Sequence, residues 1–248
     1  MVTVSRLPEG TGAAGPVVAG VDGCRGRWLC VWGDPARPSE IQAALLDTPH
    51  ALEHLQPLPA VVGVDIPIGL PEDGPREADR AARRLLGRPR GSSVFPAPLR
   101  CMLQAPDYDT ACNLGRNRCG RALSRQSWNI LPLIRAMDAF LRERPARAGW
   151  VQEVHPELGF MVWNHGIPMA WGKKTPRGRD TRRGLVEAAL PGALSAARAS
   201  LGAPCPEDDL LDALAAFGIA ARIATGRALR LPDPSQRDAL GLPMCITC

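Results

Sequence analysis

Nowhere in its 248 residues does this chain carry an apolar run of about 18 residues, so a membrane-spanning helix is not expected. Its N-terminal stretch lacks the basic region and apolar core of a signal peptide, which makes the cytoplasm the expected compartment. Aromatic residues reach only 4%, which argues against an all-β shell rich in Tyr and Trp. Eight cysteines in a chain this long are no disulfide scaffold. Cys245 and Cys248 have CxxC spacing but sit at the extreme end, where a frayed tail is the simpler expectation. The spacings of Cys101, Cys112 and Cys119 match no strong zinc pattern. A GxxxxGK(S/T) phosphate loop is missing as well. Charge of one sign is also in short supply: 30 Lys and Arg against 25 Asp and Glu give a net +5. That balance permits nucleic-acid binding through phosphate contacts without demanding it, and the basic runs at 76–90 and 173–183 read equally well as solvated faces.

What the chain does have is 45% hydrophobic residues, abundant Ala, and Gly and Pro at 25 each. This suits close-packed helices joined by many turns. Residues 1–15 read as a disordered tail, 16–235 as a single domain, and 236–248 as a C-terminal tail. Within the domain, 16–21 and 28–32 are short apolar runs separated by Cys24-Arg25-Gly26-Arg27, the pattern of a hairpin. Ile41–Leu55 is expected to be helical in part, with Pro49 interrupting it. Ala60–Ile66 is continuous and β-branched, as in a strand buried on both faces. A helical insertion spans roughly 75–145 and is expected to shape specificity. It includes a helix over Trp128–Arg144 with a kink or start near Pro132. Val151–Val154 is a strand candidate, Arg182–Leu190 a helix, and Glu207–Thr225 the strongest helical pattern, with an acidic first turn. Strands alternating with helices after a hairpin make an α/β fold with a mixed sheet.

The informative feature is where the acids fall. Asp22 and Asp65 each end a strand. If those strands run parallel as neighbours, both carboxylates emerge at the sheet edge where such folds bind ligands. Asp209 and Asp212 lie three apart near the start of an apolar helix, about 5–6 Å from one another on one face that continues through Ala216 and Ile219. Carboxylates on an inward face cost several kcal/mol unless something compensates them, and a divalent cation does so directly. Mg²⁺ or Mn²⁺ prefers hard oxygen ligands, and two such ions about 4 Å apart activate water for phosphodiester hydrolysis. Gly23 suits the close approach of a phosphate. The same acids also read as first-turn charges, surface ion pairs and turn formers. Glu153 is expected to point into the cleft and Glu157 to begin a helix, while His155 either shuttles a proton or packs. Lys173, Lys174 and Arg177 suit substrate phosphate contacts or form a solvated loop. Trp28, Trp163 and Trp171 offer base stacking, with packing the default for each.

Seven segments together carry a resemblance: VAGVDGCRGRW at 18–28, VDIPIGLP at 64–71, GSSVFPAPLR at 91–100, NILPLIRAMD at 129–138, EVHPE at 153–157, KKTPRG at 173–178 and DDLLDALAAF at 208–217. In this order they resemble the DUF429 family, described as predicted ribonuclease H-like nucleases. The resemblance implies a ribonuclease H-like fold with a layout close to RuvC-type Holliday-junction resolvases. It carries the first-strand acid onto Asp22, the later-strand acid onto Asp65, and the final-helix pair onto Asp209 and Asp212. In the prototype resolvases the second position is Glu; here it is the shorter Asp65. Glu153 and Glu157 fall in a segment particular to the family.

Three functions follow as expectations. The first is divalent-metal-dependent cleavage of DNA or RNA. The second is nucleotide-dependent phosphotransfer or phosphohydrolysis, which kinases of the same core perform with a duplicated domain that this chain lacks. The third is a non-enzymatic binding or scaffold protein, monomeric or dimeric through an Ala-rich face. Fold alone does not choose among them.

Overall fold

The structure is a computed structural model that describes residues 15–248; all but one of the residues expected to form the N-terminal tail lie outside that range. Five strands build the central sheet: β1 (Val18–Cys24), β2 (Arg27–Gly33), β3 (Gln42–Leu46), β4 (Val61–Val64) and β5 (Val151–Glu153). Their spatial order is β3-β2-β1-β4-β5, and only β2 runs antiparallel to the rest. The expected hairpin joins β1 to β2 through Arg25 and Gly26, both at positive φ (52° and 80°), the geometry that a tight two-residue turn requires.

Between β4 and β5 come α1 (Glu77–Arg90), α2 (Tyr108–Cys119), α3 (Arg125–Asn129), α4 (Leu131–Glu143) and α5 (Arg147–Trp150). After β5 follow α6 (Pro156–Trp163), α7 (Pro176–Ala189), α8 (Ala193–Ser200), α9 (Glu207–Ala224), β6 (Arg230–Arg237) and β7 (Pro243–Thr247). The sheet is covered on both faces. Leu131, Leu133, Ile134, Met137 and Phe140 of α4 pack with Ala19, Val21, Val62 and Val64 on one side. On the other, α9 packs with Val18, Leu29 and Val31, and α8 lies beside it over β3, where Ser200 accepts from the Ala43 N–H. This is an α/β fold with a mixed five-stranded sheet between helices. No helix among the described residues is long and apolar enough to cross a membrane.

Two expectations are corrected. Ile41–Leu55 is not helical: Gln42–Leu46 is drawn out as an edge strand paired with β2, and Pro49–His54 forms a 3-10 turn. Residues 236–248 are not a tail either. Pro243–Thr247 pairs antiparallel with β6, and Ile246 and Cys248 are buried against Ala78, Ala82 and Leu86 of α1. Pairing with β6 and packing on α1 bury Cys245, Ile246, Thr247 and Cys248 alike, which outweighs the position at the chain end.

Candidate active site

The pleat of β1 and β4 decides which side chains meet. Successive residues alternate between faces. Ala19 and Val21 pack toward α4, so Val18, Gly20, Asp22 and Cys24 face α9. On β4, Val62 and Val64 likewise face α4, leaving Gly63 and then Asp65 on the α9 side. Gly20 pairs with Gly63 in parallel register, and the Asp65 N–H still donates to the Val21 carbonyl at 2.9 Å. Asp22 and Asp65 therefore leave the carboxyl ends of adjacent parallel strands side by side.

The third acid is delivered by α9, and the two glycines explain how. A Cβ on Gly20 would stand 2.1 Å from the Phe217 nitrogen and 2.2 Å from the Ala213 carbonyl oxygen. One on Gly63 would stand 2.9 Å from the Ala216 carbonyl oxygen. The helix thus rides directly on the backbone of β1 and β4, which is why its contact face is built from Ala. Asp212, next to Ala213, arrives only 3% exposed.

Among the described residues, one cation is ion-paired with this group. Lys173, in the loop before α7, donates from Nζ to Asp212 Oδ2 at 2.5 Å. Burial works against its ammonium, but Asp212 and Asp22 outweigh that and hold its proton above the ordinary lysine range. Burial raises Asp22 well above the usual carboxylate range, and Asp65, Asp212 and Asp209 add to the shift against Lys173. Asp65 is raised by burial, with Glu157 adding and His155 and Lys173 opposing. Burial pushes Asp212 up to about 6 even with Lys173 opposing. One ammonium does not balance three carboxylates in a site this dry.

These acids line a cavity of about 420 Å³ whose opposite wall comes from the segment between β4 and β5: Phe95, Gln126 and Asn129. Glu157, on α6, lines it too. Its Oε1 accepts from buried Arg182 at 2.5 Å, while its Oε2 is buried without a hydrogen-bond partner. An orphaned carboxylate oxygen beside three under-compensated acids is an all-oxygen donor set short of positive charge. That set fits Mg²⁺ or Mn²⁺.

The model of one family covers residues 20–237, and its description is a protein of unknown function, DUF429. The chain belongs to the DUF429 family. No curated protein and no solved structure matches it.

In this DUF429 chain Glu153 and Asp209 line the same cavity, each engaged by partners of its own. Glu153 pairs with Val64 in parallel register, so it leaves the sheet on the face opposite Asp65. There both of its oxygens accept from Arg76, each at 2.7 Å, and Oε2 also accepts from the Ile68 N–H at 2.7 Å. Asp209 turns toward cysteine. Cys24, Cys205 and Asp209 are, among the described residues, the one group of three His, Cys, Asp or Glu whose donor atoms all lie within 4.8 Å. Asp22, Asp65 and Asp212 spread wider than that.

His155 is the N-cap of α6, its Nδ1 accepting from the Glu157 N–H at 3.2 Å, and its ring lines the cavity. Lys174 and Arg177 are exposed, and Arg177 stacks on Trp171 with its guanidinium carbon 4.4 Å from the ring centroid. Trp28 is buried, and Trp163 lies on Gly218, so neither offers a face for bases. Gly23 serves packing: a Cβ there would meet Leu133 of α4 at 2.8 Å. Local spacing missed Glu157 as an acid of the site and the pairing of Cys24 with Cys205, which lie 181 residues apart. The acid-then-helix pattern EVHPE was the only signal for the former.

Proposed function

We propose that this protein is a divalent-metal-dependent phosphodiesterase acting on nucleic acid, with a ribonuclease H-like fold and Mg²⁺ or Mn²⁺ held by Asp22, Asp65 and Asp212. The observation that carries the reading is the convergence of three carboxylates from β1, the end of β4 and the inward side of α9 on one cavity, with Lys173 the one cation ion-paired to them among the described residues. The strand order β3-β2-β1-β4-β5, with β2 alone reversed, supports the fold assignment. Glu157 completes the oxygen set on the α6 side.

The cation, when bound, supplies Lewis acidity toward a phosphate oxygen and charge for the leaving group. The protein's own groups do the rest. Asp22, Asp65 and Asp212 are carried on packed backbone, and their carboxylates must draw in from a spread wider than 4.8 Å to share one ion. Lys173 donates to Asp212 in the resting site. With its partner engaged by a cation, the same ammonium is free to donate to a substrate phosphate. Arg182 holds Glu157 through one oxygen and leaves the other directed to ligand. Phe95, Gln126 and Asn129 close the far wall, where they exclude water and offer one ring and two amides to the bound strand.

The test is cleavage of single-stranded, duplex and branched DNA and RNA with Mn²⁺ or Mg²⁺, with and without chelator. Cation-dependent cleavage that vanishes in Asp22→Asn and Asp212→Asn is expected. Cleavage unchanged in both variants, or none on any of these substrates, overturns the reading. The Lys173–Asp212 contact favours a second reading, a binding protein that keeps the fold and uses Lys173 as a built-in counter-ion. It predicts that Lys173→Met gains no affinity for Mn²⁺.

A further inference from the structure

Beside the oxygen-rich cavity lies a group of different chemistry. Cys24 ends β1, Cys205 precedes α9 by two residues, and Asp209 stands in the first turn of that helix. We propose that Cys24, Cys205 and Asp209 form a binding site for a thiophilic divalent cation of the zinc class, separate from the Asp22–Asp65–Asp212 site.

Distance is the first argument. The two sulfurs are 3.7 Å apart. A disulfide needs about 2.05 Å, so the pair is not bonded. Two thiolates at about 2.3 Å from one tetrahedral ion stand about 3.8 Å apart, along one edge of the tetrahedron. The observed spacing is that edge. The Asp209 carboxylate falls within 4.8 Å of both sulfurs, so three donors surround one point. Three protein ligands leave the fourth position to water or to an outside ligand.

Donor softness is the second argument. Thiolates select zinc-class ions over Mg²⁺ and Mn²⁺, whereas the carboxylate set beside them has the opposite preference. One sheet edge thus sorts two kinds of cation. Charge is the third. Two thiolates, one carboxylate and a 2+ ion sum to −1, and this sits at the amino end of an 18-residue helix, which favours negative charge. The proposal does not depend on the nuclease reading, since neither Cys24 nor Cys205 belongs to the oxygen set.

The experiment uses the full chain, reduced and stripped of metal, titrated with Co²⁺ and then Zn²⁺. A thiolate-to-cobalt charge-transfer band that Zn²⁺ abolishes is expected. Asp22→Asn should keep the band. Cys205→Ser, at a half-buried position, should lose it, with Zn²⁺ affinity falling by more than the roughly 10–100-fold that loss of an outer-shell partner costs. Because Cys24→Ser risks misfolding at a buried position, the unmodified protein provides a second measurement: Zn²⁺ should shield half-buried Cys205 from alkylation while Cys101 and Cys119 react as before. No band in the reduced protein, a band that survives Cys205→Ser, or a Cys24–Cys205 disulfide with no ion uptake after its reduction each overturns the proposal.

Discussion

Two clusters of buried carboxylates lie within a few residues of each other in this sheet, and they differ in how their charge is answered. On the α4 face, Glu153 and Asp79 share Arg76, which is 3% exposed. Arg76 donates to both carboxylates and to the Ile68 and Gly69 carbonyls, and Asp79 also accepts from the Ala97 N–H at 3.0 Å. All four carboxylate oxygens there accept a hydrogen bond, although burial still holds Glu153 above the usual carboxylate range against Arg76. On the α9 face, Asp22, Asp65 and Asp212 have Lys173 between them, and Glu157 keeps an oxygen without a partner. The first arrangement is structure, because a buried ion network with its hydrogen bonds complete holds segments together. The second is paid for in stability, which is how a binding site looks before its ligand arrives.

Neutralising a carboxylate should therefore shift stability in opposite directions on the two faces. The largest effect is expected from Glu153→Gln, which breaks the balanced network and should lower unfolding free energy by about 3–5 kcal/mol in denaturant titration. The fraction that remains folded should bind Mn²⁺ as before. Gly20→Ala should follow, at about 1–3 kcal/mol or somewhat more, because its Cβ meets helix backbone that has no rotamer to yield. Its Mn²⁺ binding should weaken as well, since α9 carries Asp212 away from the sheet. Asp22→Asn should do the reverse in the metal-free protein and stabilise it by about 0.5–2 kcal/mol, while removing the stabilisation that Mn²⁺ gives the parent. Loss of stability in Asp22→Asn would erase the distinction between the two faces.

The smallest effect is the pH dependence. Carboxyls held above their ordinary range bind protons more tightly when folded, so their contribution to stability is present at low pH and is lost as pH rises through the folded value, about 6 for Asp212. Cation binding must displace those protons. The rise in melting temperature caused by Mn²⁺ should thus shrink as pH falls through about 6. A Mn²⁺ shift that is constant from pH 5 to pH 8 would show that Asp212 is not among the ligands.

Much of this was legible in the sequence where the signal was local. VVGVD at 61–65 reads as a buried strand ending in an acid, and the hairpin at Arg25-Gly26 follows from its turn residues. The acidic start and Ala-rich face of α9 mark an inward helix, and Asp22, Asp65 and Asp212 are found by that pattern. What failed depended on partners far along the chain. Gln42–Leu46 is extended because β2 offers an edge, and Pro243–Thr247 because β6 does; nothing in either segment alone says so. Glu153 reaches the cavity wall as expected, but its engagement by Arg76, 77 residues away, is not written in the local pattern. Asp209 was grouped with Asp212 by helical spacing, but it stands where the helix first meets Cys24 and turns to the sulfur.

The contact of α9 with Gly20 and Gly63 has a consequence for how this protein tolerates change. The gap between the helix acid and the strand acids is set by main chain lying on main chain, with no side chain as a spacer. Core residues elsewhere can drift in size without altering that gap. The two glycines act as the fixed jaw of a caliper, so the opening offered to an ion is inherited through two positions that carry no functional group at all.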